Sequence, residues 1–127
     1  MEPIDSKQIF NVCYIVGCRY WVLPFWHERP KQEVCKTSIS TLTTAGVLVS
    51  KDRGLSWAPH GQMRTSGTWL IEGSVAALAN GNIMQLFRTT TGLLYVSISK
   101  DSGLTWDRPR KTTLPNPDSK VNILHQS

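Results

Sequence analysis

No run of apolar residues in this 127-residue chain approaches the ~18 that a membrane-spanning helix needs. The most apolar stretch, Cys13 to Trp26, is interrupted by Arg19. It has no basic lead-in and no small-residue cleavage site, so it does not read as a signal peptide. Blocks of like charge are also missing. The net charge is +5, but its carriers (Lys31, Lys36, Lys51, Arg53, Arg64, Arg108, Arg110, Lys111) are spread along the chain. That pattern is a solvated basic surface rather than a nucleic-acid footprint, and it leaves a mild attraction for anions. Cysteine is scarce and odd in number, so Cys13, Cys18 and Cys35 cannot all pair. Together with His27 they would make a Cys3His set, but the spacing matches no common zinc finger and inert thiols are the better reading. No metal and no cofactor are expected. Finally, no long apolar stripe of helical period is present, and glycine and β-branched residues are frequent, which argues against a helical fold.

What the chain does contain is a repeat. Ser50-Lys51-Asp52-Arg53-Gly54-Leu55-Ser56-Trp57 returns as Ser99-Lys100-Asp101-Ser102-Gly103-Leu104-Thr105-Trp106, an offset of 49 residues. Six of the eight positions are identical and one is a Ser/Thr exchange. A repeat of that period marks stacked or radial units.

The residues before the second copy read as short strands. Ser74 to Ala79 is a candidate first strand, and Asn80-Gly81 a two-residue hairpin turn in which both positions tolerate positive φ. Asn82 to Arg88 is the return strand. Leu93 to Ser99 alternates apolar and polar residues with the period of a half-buried strand. A fourth strand is expected around Leu104 to Asp107. The first copy has the same plan: Val12 to Val16, a turn at Gly17 to Arg19, Tyr20 to Trp26, a long loop from Glu28 to Ala45, and Gly46 to Ser50. Pro24 is awkward there because it removes a ladder donor. Pro115-Asn116-Pro117-Asp118 reads as a rigid connector, and Val121 to Leu124 as the first strand of a further unit. Four antiparallel strands per unit is the blade of a β-propeller, and a closed ring needs about four or more blades.

In the repeated octapeptide, the aspartate suits a strand-to-strand turn, where its carboxylate accepts from backbone amides just ahead. The glycine takes the positive φ, the hydroxyl residues satisfy further backbone groups, and the tryptophan packs between strands. These residues resemble the Asp-box, S-x-D-x-G-x-[ST]-W, of the sialidase (neuraminidase) superfamily. The matching positions are Ser50, Asp52, Gly54, Ser56 and Trp57, and Ser99, Asp101, Gly103, Thr105 and Trp106. Trp69 to Val75, Asn80-Gly81, Leu86 to Thr89 and Leu114 to Val121 also look like the sialidase-like BNR repeat domain. The resemblance covers most of residues 20 to 125 and is specific from Trp69 on. It implies an all-β fold, part of a six-bladed β-propeller. Residues 1–127 would be an incomplete propeller domain, with a first blade at 11–57, a second at 70–107, and a connector plus the next blade's first strand at 113–127. The remaining blades are expected from a parent chain.

The resemblance also implies that the Asp-box is structural and lies away from the active site. In active members, three arginines bind the substrate carboxylate, a glutamate activates a nucleophilic tyrosine, and an aspartate is the acid/base. Arg88, at the end of its blade's second strand, resembles one of the arginines. Glu72, ahead of the first strand, resembles the tyrosine's partner. Strand direction alone already brings these two to one end of one hairpin, opposite the repeated turn. The same reasoning places Trp26, His27 and Glu28 at the corresponding end of the first blade, as further substrate-binding candidates. The residue types suit an acidic sugar, since guanidinium matches a carboxylate bidentately. A carboxylate nucleophile would be repelled by such a substrate, which rationalises a tyrosine in its place. The nucleophile, the acid aspartate and the other two arginines have no assignable position in this chain.

Three functions stay open. One is an exo-acting glycosidase of terminal sialic acid or a related acidic sugar, incomplete and inactive alone. The others are a carbohydrate-binding propeller without catalysis and a structural or interaction module, since fold does not fix function. Two blades leave sheet edges and apolar faces uncovered, so the isolated chain is expected to self-associate. Sedimentation and calorimetry test this: concentration-dependent association is expected, and a monomeric, sharply melting chain contradicts it.

Overall fold

The computed structural model describes residues 13–14 (backbone only), 20–27 and 44–123. Among these the chain is all-β. Eight strands form two four-stranded antiparallel sheets, each paired in chain order. The first sheet holds β1 (Cys13–Tyr14), β2 (Trp21–His27), β3 (Thr44–Ser50) and β4 (Ala58–Met63). The second holds β5 (Ile71–Ala77), β6 (Ile83–Arg88), β7 (Leu93–Ser99) and β8 (Arg110–Pro115). The expected turn at Gly17 to Arg19 and most of the loop from Glu28 to Ala45 lie outside the described residues.

β7 spans the expected Leu93 to Ser99, because its alternation places Leu94 and Val96 on one face and Ser97 and Ser99 on the other. The fourth strands differ from expectation. Residues 104–107 do not form a strand; β8 starts at Arg110 and β4 at Ala58, so the sheets run to Pro115 and Met63 rather than ending at 107 and 57. The reason is that the middle of this stretch is tied into the turn, where Thr105 spends its amide, and only Asp107 N reaches β7, donating to Ile98 O. Thr105 N donates to the Asp101 carboxylate at 2.8 Å and the Trp106 indole to the Gly103 carbonyl at 2.8 Å. Ladder pairing resumes with Arg110 opposite Val96. Residues 113–115 accordingly belong to β8. Val121 to Ile123 form no strand, although Val121 and Ile123 pack on Leu86, Leu94 and Val96.

The β5–β6 turn is one residue longer than the expected two-residue Asn80-Gly81 turn. Gly81 N donates to the Leu78 carbonyl at 3.0 Å and Leu78 N to the Asn82 carbonyl at 2.7 Å. Gly81 alone has positive φ, 87°, while the Asn80 side chain accepts from Asn82 N at 3.0 Å. This is a type I turn closed by a left-handed glycine, the usual three-residue solution. Pro24 sits within β2 opposite Val47. β1 pairs only with Trp21 and Val22, so the described ladder on that side of β2 stops short of the proline.

The two sheets pack face to face through an apolar layer. Val22, Val47 and Val49 of the first meet Val75 and Ile83 of the second. Ala45 and Met63 meet Leu70 and Phe87. Phe87, Leu70, Ile83, Val22 and Val47 are fully buried, each worth roughly 1.5–3 kcal/mol of burial. The second octapeptide turn joins this layer. Leu104 and Trp106 pack against it, and a Cβ on Gly103 would lie 3.1 Å from Val22. Trp106 lies over Gly61 of β4, where a Cβ would be 2.7 Å from the indole. In the first copy Leu55 is 88% exposed and Trp57 36%, and its Gly54 abuts Trp21, where a Cβ would lie 2.9 Å from the ring.

Gly61 has φ +70° and that close approach; Gly67 has φ +79° and nothing within 4 Å. A side chain at positive φ costs about 1–2 kcal/mol by itself. Gly67→Ala is therefore expected to cost about that much in urea unfolding. Gly61→Ala is expected to cost clearly more, because Trp106 must also move. Equal losses would show that the indole contact contributes nothing.

Candidate functional site

The two octapeptide turns are near-identical networks. Ser50 Oγ donates to Asp52 Oδ1 at 2.8 Å while accepting from Gly54 N at 2.7 Å. Ser56 N donates to Asp52 Oδ1 at 2.8 Å and Ser56 Oγ to Oδ2. In the second copy Ser99, Gly103 and Thr105 make the same bonds around Asp101. The indole of Trp57 donates to Gly54 O as that of Trp106 does to Gly103 O. Two consecutive residues carry positive φ in each turn, Arg53 and Gly54, then Ser102 and Gly103. The glycine and the carboxylate were legible in sequence. The left-handed residue before the glycine and the indole bond were not, because Arg and Ser carry no such signal and a tryptophan reads as packing.

These carboxylates are therefore turn acceptors. For Asp52, bonds from the Ser56 hydroxyl and amide, then from Ser50, hold the pKa below its ordinary 3.8. For Asp101, burial pushes up, but bonds from the Thr105 hydroxyl and amide and from Ser99 outweigh it, and the pKa is again lowered. An acid/base catalyst needs the opposite, a carboxyl near its working pH.

The opposite end of the second sheet carries a different cluster. Ser99 pairs with Ile83 at one end of β6, and Ile71 pairs with Arg88 at the other. Arg88 Nη1 donates to Glu72 Oε2 at 2.8 Å and its Nε to Asp118 Oδ1 at 2.8 Å. Glu72 reaches the guanidinium through a bulge. Ile71 faces Arg88 and Ser74 faces Leu86, so Glu72 and Gly73 together oppose Phe87. Glu72 has φ +50°, an uncommon conformation for a non-glycine residue. Gly73 beside it leaves room for the buried Gln85 side chain.

Asp118 is held from its own loop and also has positive φ, 58°. Buried Asn116 brackets that loop: its Oδ1 accepts from Ser119 N at 2.9 Å, its Nδ2 donates to Ser119 O at 2.8 Å, and its backbone N donates to Gly92 O at 2.8 Å. The bond to Asp118, then that to Glu72, raises the guanidinium pKa above its already high value. Arg88 is thus a permanent cation between two carboxylates. Its Nη2 has no hydrogen-bond partner among the described residues.

Sequence reasoning brought Glu72 and Arg88 together but missed Asp118, which lies 30 residues beyond Arg88 in a proline-rich stretch. The available signal was an acidic residue in a loop returning to the same sheet end. Trp26 and His27 end β2, the topological counterpart of the Arg88 end of β6. Trp26 is half-buried and His27 exposed, on the first sheet rather than the second. Glu28 lies outside the described residues, as do Cys18 and Cys35. Among the described residues no group of three or more His, Cys, Asp or Glu is placed to hold a metal. No described helix is long and apolar enough to cross a membrane.

A pair of face-packed, four-stranded antiparallel sheets with this turn at one end defines two blades of a sialidase-like propeller. The chain matches the BNR repeat-like domain over residues 14–127 and belongs to that family. No curated protein matches it. Among solved structures, a protein of unknown function from Dyadobacter fermentans DSM 18053 is similar at 22% identity and TM-score 0.55, over 76% of this chain. NanB, solved with Optactamide, is similar at 23% identity and TM-score 0.53, over 73% of this chain. The chain spans only 25% and 12% of those two structures.

A carboxylate whose pKa is lowered by folding stabilises the fold above its unfolded value, and that contribution is lost as pH falls through the folded value. For Asp101 the window therefore lies at and below about 3.8. Asp101→Asn is expected to lower the urea midpoint at pH 7. It should also flatten the loss of midpoint between about pH 5 and pH 2 relative to wild type. An unchanged acid slope would remove Asp101 from the account of acid stability.

Proposed function

We propose that this chain supplies part of the substrate cleft of a sialidase-like glycoside hydrolase that removes terminal sialic acid or a related acidic sugar. In this reading the repeated turns are structural Asp-boxes. Arg88 is a clamp for the substrate carboxylate, and Glu72 is the activator of a tyrosine outside this chain. The observation that carries it is the Glu72–Arg88 pair at 2.8 Å, at the sheet end opposite the turns. Its chemistry fits: guanidinium suits a carboxylate, and a glutamate beside the cleft takes a phenolic proton as charge develops at the sugar ring.

The chain alone is expected to be inactive. Retaining hydrolysis needs nucleophile, acid and clamp in one cleft. Tyr95 is half-buried against the inter-sheet core, and half-buried Tyr20 packs there with Lys51 5.4 Å over its ring. Both are packing residues. The remaining blades, with the nucleophile and acid, would come from a longer parent.

A second reading, a carbohydrate-binding propeller without catalysis, is favoured by one feature. Two of the five Arg88 N–H groups are already donated to carboxylates of this chain. A ligand carboxylate must use the remaining Nη1 and Nη2 hydrogens or displace Asp118, the more exposed partner.

Titration calorimetry of the chain with N-acetylneuraminic acid and with its methyl ester tests the clamp. The acid is expected to bind and the ester to bind at least about tenfold more weakly, the scale of one charge-assisted bond. Arg88→Ala should abolish the preference, and Asp118→Asn should strengthen acid binding by removing a competing carboxylate. Equal binding of acid and ester, or an Arg88→Ala chain that still prefers the acid, would overturn the proposal.

A further inference from the structure

A concave site lies at the outer strand of the first sheet, and it shares no residue with the Glu72–Arg88–Asp118 cluster. It is a cleft of about 320 Å3 lined by Gln62, Met63, Arg64, Trp106, Asp107, Arg108 and Pro109. That is the small end of the ~300–1,000 Å3 range of ligand pockets.

Two backbone devices build it. On one side, β4 carries a bulge: Ala45 pairs with Met63 and Val47 with His60, so Gly61 and Gln62 together oppose Gly46. This displaces the β4 end that leads to Arg64. On the other side, the segment after the second turn is fixed by three bonds. Trp106 Nε1 donates to Gly103 O at 2.8 Å, Asp107 N to Ile98 O at 2.9 Å, and Ser97 Oγ to Asp107 O at 2.7 Å. The half-buried indole, seated on Gly61, forms the wall between them. The walls are thus set by ladder and turn bonds before any ligand arrives.

The charge in the cleft is not needed by the fold. Arg64 and Arg108 are both exposed and form no ion pair among the described residues. Asp107, the cleft's carboxylate, faces Arg110 at 3.7 Å. The cleft therefore presents two uncommitted guanidinium groups beside an aromatic wall. The repeat shows that these groups are not part of the turn's own requirement. At the offset of 49, Arg108 corresponds to Pro59 and Arg64 to Thr113. Guanidinium groups match tetrahedral oxyanions in geometry and charge, and an indole offers a flat apolar surface for the C–H face of a ring.

We propose that this cleft is an accessory binding site for a saccharide bearing a sulfate or phosphate ester. The ester lies between Arg64 and Arg108, and the sugar ring rests on Trp106. The site acts independently of the proposed sialic acid clamp, so either can fail without the other.

The test is titration of the 127-residue chain with a sulfated disaccharide, the matching sugar phosphate, the unsubstituted sugar and inorganic sulfate, read by tryptophan fluorescence and calorimetry. One or both esters should bind, and which binds more tightly identifies the source of the oxyanion. The unsubstituted sugar and inorganic sulfate should each bind at least about tenfold more weakly, each lacking one half of the recognition. Arg64→Gln with Arg108→Gln should lose the ester at least about tenfold, while Arg88→Ala keeps it. Lys51→Gln with Lys100→Gln, which removes the same charge at the turns, should also keep it. Thermal melts of the glutamine variants check that the fold is retained. An equal loss in the lysine variant, sulfate binding as tightly as the esters, or no ester binding in wild type overturns the proposal.

Discussion

Each sheet must reverse its chain between its third and fourth strands through two consecutive left-handed residues, and one carboxylate makes that affordable. Asp52 and Asp101 each collect the hydroxyl of the leading serine and both the amide and hydroxyl of the residue four positions on. The strain of Arg53 or Ser102 at positive φ is of order 1–2 kcal/mol. A group of charge-assisted bonds to one carboxylate opposes it in both turns. Nothing in the strands themselves would enforce this path.

Once the turn is set, it becomes a packing element. In the second sheet Leu104 and Trp106 of the turn pack on β4 and the valine layer, whereas Leu55 and Trp57 of the first are exposed. The glycines at 61 and 103 are where backbone and side chains of the two sheets come closest. With one end of the second sheet committed to this docking, the other end is left to loops. There the β5 bulge, the end of β6 and the Asn116-bracketed loop converge on one guanidinium. Binding groups placed on loops that a rigid sheet positions is the common division of labour in such folds.

The fold was largely legible because its signals are local. Period-two alternation marked β7, and the octapeptide fixed the phase of both sheets. The fourth strands were misplaced because the motif's tail looks like a strand while its middle is tied into the turn. The Asn80-Gly81 turn was recognised, but one left-handed residue suffices where two were expected. At the site, Glu72 and Arg88 followed from strand direction alone, since consecutive antiparallel strands put the start of one beside the end of the next. Asp118 did not follow, because its position depends on how Asn116 folds a loop back to Gly92, a tertiary bond with no sequence period. The cleft beside Trp106 was equally hidden. It arises from a bulge in one sheet meeting a turn of another; the turn is visible as the octapeptide, but the bulge and the meeting of the two are not visible as a pattern.

The central claim is the proposed one, that recognition of a sialic acid carboxylate belongs to the Arg88 end of the second sheet and not to the carboxylates of the repeated turns. Amide chemical-shift mapping during titration with N-acetylneuraminic acid tests it most directly. The account predicts shifts at Ile71 to Gly73, Phe87 to Thr89 and Asp118 to Ser119, with the amides around Asp52 and Asp101 unmoved. Shifts concentrated at the two octapeptide turns, with none around Arg88, would contradict it.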